Sequence, residues 1–133
     1  PQFLTRLQPF TLAQGWLLSH AGVHPRHLAS EDQTGLQALH REIAAQLLHL
    51  PSRRPEQLAA VGTSRGGSDA HGGIVWQDWF EEFEDSLEWP QIVGHTLIAE
   101  PNQKGRSFNL DTKSGSYGIL TAGRLEIRYE PKS

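Results

Sequence analysis

Residues 15–25 read GWLLSHAGVHP. Trp16, Leu17 and Leu18 call for burial, while Gly22 and Pro25 stop regular structure. The spacing predicts a short buried strand over 15–19 that opens into a loop at His20. A polar ring at the mouth of a buried strand is costly unless it finds a partner. Residues 91–95, QIVGH, repeat the design: an apolar run, a small residue and a histidine. Two strands of one sheet would then end in imidazoles at their carboxyl edge, where ligand sites of layered α/β folds lie. Neutral imidazole is the commonest metal ligand, and His20 and His95 are the candidates to share one ion. Taken singly, each also suits a satisfied core or loop-capping histidine; the matched contexts favour the metal.

Composition narrows the chemistry. The 133 residues are 37% hydrophobic and 20% charged, with a formal charge of −3, enough for one globular domain over 1–133. Acids and bases are mixed along the chain, and no basic stripe points to nucleic acid. No apolar run approaches the roughly 18–20 residues that span a bilayer, and no secretory pattern opens the chain. Cysteine is absent, which removes disulfides, thiol nucleophiles and Cys–zinc sites and fits a cytoplasmic protein. Any metal must be held by His, Asp, Glu, Asn or backbone oxygens. Methionine is also absent and the chain starts at Pro1, so the expectation is a piece of a longer or processed chain.

Outward from the two histidine segments, residues 3–14 read as a short helix or an extended lead-in broken by Pro9. TGLQALHREIAAQLLHL places apolar residues at 36, 39, 43, 47, 48 and 50, a helical spacing with Thr34 as cap and Pro51 as stop. A further short helix is expected over 55–60. IVWQDWFEEFED mixes periods and reads as short elements around a core pair, Trp76 and Trp79, with 81–85 as a solvated acidic face. Three strands close the chain, over 107–112, 117–122 and 124–130. The last turns Leu125, Ile127 and Tyr129 inward, with Gly123 in the preceding tight turn. The fold class is α/β, with α+β as the variant, built on a mixed sheet with helices early in the chain.

His24 and His27 follow His20 closely, but Gly22 and Pro25 argue against a helical three-His face, so both read as exposed loop residues. Residues 62–73, GTSRGGSDAHGG, form a glycine-dense loop of 12 residues, and loops of such length are usually functional or mobile. Its backbone N–H groups and Arg65 suit a phosphate, although the P-loop pattern is missing. A plain surface loop is the competing reading.

LLSHAGVHP, SRGG…HGGIVWQDWFEEFE, QIVGHT and FNLDTKSGSYGILTAG together resemble the calcineurin-like metallophosphoesterases, especially the small bacterial members close to the Ser/Thr protein phosphatases. Order and spacing fit from about residue 15 to the C-terminus. The resemblance implies a β-sandwich flanked by helices and phosphoester hydrolysis by a metal-activated water. It makes His20 and His95 ligands of one of two adjacent divalent ions (Mn, Fe or Zn) and Arg65 a phosphate contact. The family's DxH, GDxxDRG and GNHE motifs are absent: no Asp precedes Asp32. The chain therefore resembles the C-terminal half of such a domain, inactive alone and needing an N-terminal half. The alternative is a non-catalytic binding or assembly module of that fold, oligomeric through its uncovered apolar surface. A weaker third reading is a mononuclear hydrolase using His20, His95 and an acid such as Asp78 or Asp111.

Overall fold

The computed structural model describes residues 8–48, 62–63, 68–73 and 76–131. It is a mixed α/β fold of one helix, a five-stranded mixed sheet and a separate two-stranded sheet. β1 (Phe10–Ala13) turns back into β2 (Trp16–Ser19) through Gln14 and Gly15, both at positive φ, which matches the twist of a two-residue hairpin. The lead-in is thus extended over its described part. The run at 15–19 does form a strand, with Leu17 fully buried.

β2 pairs in parallel with β3 (Gln91–Val93), matching Leu17 with Gln91 and Leu18 with Ile92. Parallel strands need a crossover, and the chain between them supplies α1 (Gln33–Leu48). Leu36, Leu39 and Ile43 are its buried face, at the spacing the sequence predicts, and they close on Leu17, Val23 and Leu87. The helix is capped earlier than expected. Asp32, not Thr34, takes the free N–H of Gly35 at 2.8 Å, and the Ser30 hydroxyl donates to the same oxygen. An aspartate in the bend just before the helix outcompetes a threonine already inside it.

β3 pairs in parallel with β5 (Ser107–Asn109), and β4 (Asn102–Lys104) completes the sheet as an edge strand antiparallel to β5. The expected strand at 107–112 is therefore half of a hairpin. Asp85 clamps its turn, accepting from the Arg106 N–H at 2.7 Å and the Ser107 hydroxyl at 2.5 Å. The acidic run 81–85 is accordingly not a plain solvated face, because two of its carboxylates are structural; the second is Glu82, which accepts from the Asp78 N–H.

β6 (Ser116–Thr121) and β7 (Arg124–Tyr129) form their own hairpin instead of joining the mixed sheet. Ala122 and Gly123 sit at positive φ in its turn. That turn docks on the β1–β2 turn: Trp16 Nε1 donates to the Gly123 carbonyl at 2.8 Å, and Gln14 bridges Leu120 and Gly123. Both strands are half-buried to exposed along their length, and Tyr129, 53% exposed, does not face inward as its alternation suggests. The tryptophan pair also splits. Trp79 is buried, stacked on Phe83 at 4.5 Å and bonded to Asn102, whereas Trp76 is exposed. Residues 55–60 lie outside the described residues.

Candidate metal centre

His20 and His95 stand one residue past β2 and two residues past β3, at the carboxyl edge of two neighbouring parallel strands. The two strand ends are locked together, since the Gly94 N–H donates to the His20 carbonyl at 2.8 Å. The imidazoles converge: His20 Nε2 lies 3.0 Å from His95 Nδ1, with ring centroids 4.9 Å apart. One nitrogen donates and the other accepts in this state.

The backbone works to place His95. Its φ is +70°, and the Thr96 N–H closes onto the Gly94 carbonyl at 2.8 Å, a γ-turn centred on the histidine. Such a conformation costs a non-glycine residue on the order of 1–3 kcal/mol and persists where surrounding structure over-determines it. Thr96 supplies that constraint. Its hydroxyl receives the Trp79 N–H at 2.8 Å and donates to Asp78 Oδ2 at 3.3 Å, while its carbonyl takes the amide of buried Asn109. Gly94 sits close under its neighbours: a Cβ there would come within 3.3 Å of the Asp111 Cβ, tight enough to make that side chain shift by a few tenths of an ångström, and within 3.5 Å of the His20 carbonyl, an ordinary contact.

The donor pair fits one half of a metal shell. Two imidazole nitrogens bound to zinc at 2.0–2.1 Å in tetrahedral geometry lie roughly 3.3–3.4 Å apart. The observed 3.0 Å separation needs an opening of a few tenths of an ångström. A group of three His, Cys, Asp or Glu side chains placed to hold an ion is not found among the described residues. Asp111 packs its side chain against Gly94, the residue before His95. Asp78 is already engaged: its Oδ1 accepts the Phe80 and Glu81 N–H groups and its Oδ2 accepts from Thr96. Arg65 lies outside the described residues.

A second histidine cluster escaped sequence reasoning. His24 is 5% exposed and the His27 side chain 9%, so neither is an exposed loop residue. The 3-10 turn Pro25–His27 packs them against the glycine-rich segment. His27 Nε2 meets Asp69 Oδ2 at 2.8 Å, and His24 stacks on His71 with centroids 4.6 Å apart and planes 6° from parallel. Parallel rings do not aim two lone pairs at one point, so the stack is not a metal site. Burial pushes Asp69 up, but the His71 N–H, the His27 charge and further hydrogen bonds outweigh it and hold the carboxyl below its usual range. The missed signal was Asp69 and His71, polar residues inside a loop rich in glycine.

A groove of about 390 Å³ between β1 and α1, lined in part by Phe10, Leu12, Leu36 and His40, shares no residue with either histidine group. Among the described residues no helix is long and apolar enough to cross a membrane. Compared with family models, curated proteins and solved structures, the chain matches none.

Proposed function

We propose that this chain supplies the C-terminal half of a two-metal phosphoesterase site, with His20 and His95 as ligands of one divalent ion (Mn, Fe or Zn). The observation that carries the reading is the approach of His20 Nε2 to His95 Nδ1 at the ends of adjacent parallel strands. Two such ions would stabilise the attacking and leaving oxygens of an in-line displacement on phosphorus. The chain's own share is to hold the two imidazoles close together, through the Gly94–His20 bond and the γ-turn at His95. Two protein ligands fall short of the three or four of a stable zinc site. The remaining ligands, the acid and the phosphate grip therefore come from a partner half carrying the DxH, GDxxDRG and GNHE motifs. The substrate is a phosphoester, and Arg65 is a further phosphate contact on this half.

The test is intact mass and metal content of protein purified without chelator. A second polypeptide with those motifs and about two metal ions per assembly supports the reading. A chain alone and metal-free, whose His20 and His95 imidazole NMR signals do not respond to Mn²⁺ or Zn²⁺, overturns it.

One observation favours the alternative of a non-catalytic assembly module. Phe80 and Leu97 are 60% and 57% exposed, on the two segments that Thr96 ties together beside His95. On that reading a second copy of the chain covers this edge. A stable dimer without metal on gel filtration would select it over the phosphoesterase half.

A further inference from the structure

We propose that His24 is an acid-released latch, whose protonation frees the glycine-rich segment around Asp69–Gly73 from the loop that follows His20. The inference is independent of any metal at His20 and His95.

The latch is a chain of contacts between two stretches that have no regular pairing. His24 Nδ1 accepts the Arg26 N–H at 3.2 Å and thereby caps the 3-10 turn. That turn, closed by His27 N–H to the His24 carbonyl and Leu28 N–H to the Pro25 carbonyl, presents His27 to Asp69. Asp69 organises the other side. Its Oδ1 accepts the His71 and Gly73 N–H groups at 2.7 and 3.3 Å, and its carbonyl accepts the Thr63 N–H. His71 in turn lies flat on His24.

Only one protonation state of His24 serves this arrangement. The Arg26 N–H requires a lone pair on Nδ1, so the neutral ring carries its proton on Nε2, 3.6 Å from Glu84 Oε2. A second proton must go onto Nδ1, where it meets the Arg26 N–H head-on. The same step sets an imidazolium face to face with His71 and near His27 and Arg26. Glu84 is the compensating charge, but its side chain is 64% exposed and screened by water. Glu82, from the same segment, lies against Gly72.

Burial pushes the His24 imidazole below its usual range; His71 adds to this, Glu84 opposes it, and His27 and Arg26 reinforce it. The linkage then has a definite sign. The closed latch binds a proton on His24 less readily than the open one, so closure is complete above about pH 6.5. It weakens as pH falls through that value toward the lower value of the closed form. Two buried nitrogens without partners, His27 Nδ1 and His71 Nε2, leave the closed state little in reserve.

The experiment is amide exchange by NMR at pH 7.5 and 5.5, corrected for intrinsic rates, on the wild-type chain and His24→Asn. Asparagine keeps an acceptor for the Arg26 N–H and cannot be charged. In the wild type, protection at Gly62, Thr63, His71 and Gly73 is expected to fall at the lower pH, by at most about tenfold for an open-form imidazole titrating near 6.5, while Ile98 and Leu110 in the sheet region keep theirs. H24N is expected to lose that pH response. Unchanged wild-type protection, or an H24N response equal to wild type, overturns the proposal. Should H24N be open at both pH values, the wild-type titration decides. A His24 imidazole ¹⁵N midpoint coinciding with loop release supports the latch, and a midpoint that does not coincide overturns it.

Discussion

Gln91 offers the sharpest test of how the sheet holds the histidine edge together. Its side chain is fully buried and binds the backbone of one residue in both directions: Oε1 accepts the Val23 N–H at 2.8 Å and Nε2 donates to the Val23 carbonyl at 3.0 Å. Val23 is itself fully buried in the loop after His20, while Gln91 begins the strand that leads to His95. The amide thus does what a neighbouring strand would do for that loop. Gln91→Ala leaves a donor and an acceptor buried without partners, each costing about 1–3 kcal/mol, and opens a cavity as well. Since one relaxation can relieve both groups, the expected loss is about 3–5 kcal/mol, a fall of roughly 10–20 °C in melting temperature. Thermal and urea denaturation measure it.

Gln91→Glu discriminates further. An ionised carboxylate can accept from Val23 N–H but cannot donate to its carbonyl, so burial and this acceptor clash both raise its folded pKa. Such a group weakens the fold as pH rises above about 4.3, and the deficit relative to wild type shrinks as pH falls toward that value. A Q91A loss below about 1 kcal/mol, or a Q91E deficit independent of pH, would refute the claim that this amide pins the loop.

Three other substitutions probe local devices. Gly22→Ala puts a Cβ 2.7 Å from the Phe83 ring at a φ of +107°, so it is expected to cost about 2 kcal/mol or more in urea denaturation. Asp85→Ala removes the acceptor for the Arg106 N–H and the Ser107 hydroxyl and should cost about 1–3 kcal/mol by the same assay, with the loss of amide protection centred on β4 and β5. Asp32→Ala lowers the melting temperature at neutral pH. The Gly35 N–H and the Ser30 hydroxyl hold the Asp32 carboxyl below its usual range, so this stabilisation is present above about pH 4 and lost on acidification, where variant and wild type converge.

The legible parts of this fold were those where one period governs. α1 follows from Leu36, Leu39 and Ile43, and the β7 strand from strict alternation. The two histidine segments were legible because an apolar run, a small residue and an imidazole appear twice, and adjacent parallel strands bring them together. What stayed hidden depends on partners distant in sequence. His24 and His27 look like loop residues until Asp69 and His71 arrive from more than forty positions away. Tyr129 alternates inward on a strand that is half-buried at best along its length. Asp85 reads as one charge among several because nothing local says that its oxygens will clamp a hairpin turn twenty residues on.

The γ-turn at His95 is the step that no pattern predicts, and it can be isolated by comparing two variants with each other instead of with wild type. His95→Ala and His95→Gly both remove the imidazole and all that it touches. They differ in tolerance for a φ of +70°. Left-handed backbone costs an alanine roughly 1–2 kcal/mol, whereas glycine carries an entropic penalty of about 0.5–1 kcal/mol relative to alanine at ordinary positions. If Gly94, Thr96 and Trp79 hold the turn in place, the strain wins, and H95G is more stable than H95A by about 0.5–1 kcal/mol. If the turn relaxes once the side chain is gone, the entropic penalty wins and the order reverses. Matched urea denaturation curves read the sign directly. A more stable glycine variant means that the scaffold presets His95 before any ion binds; a more stable alanine variant means that the imidazole imposes its own backbone.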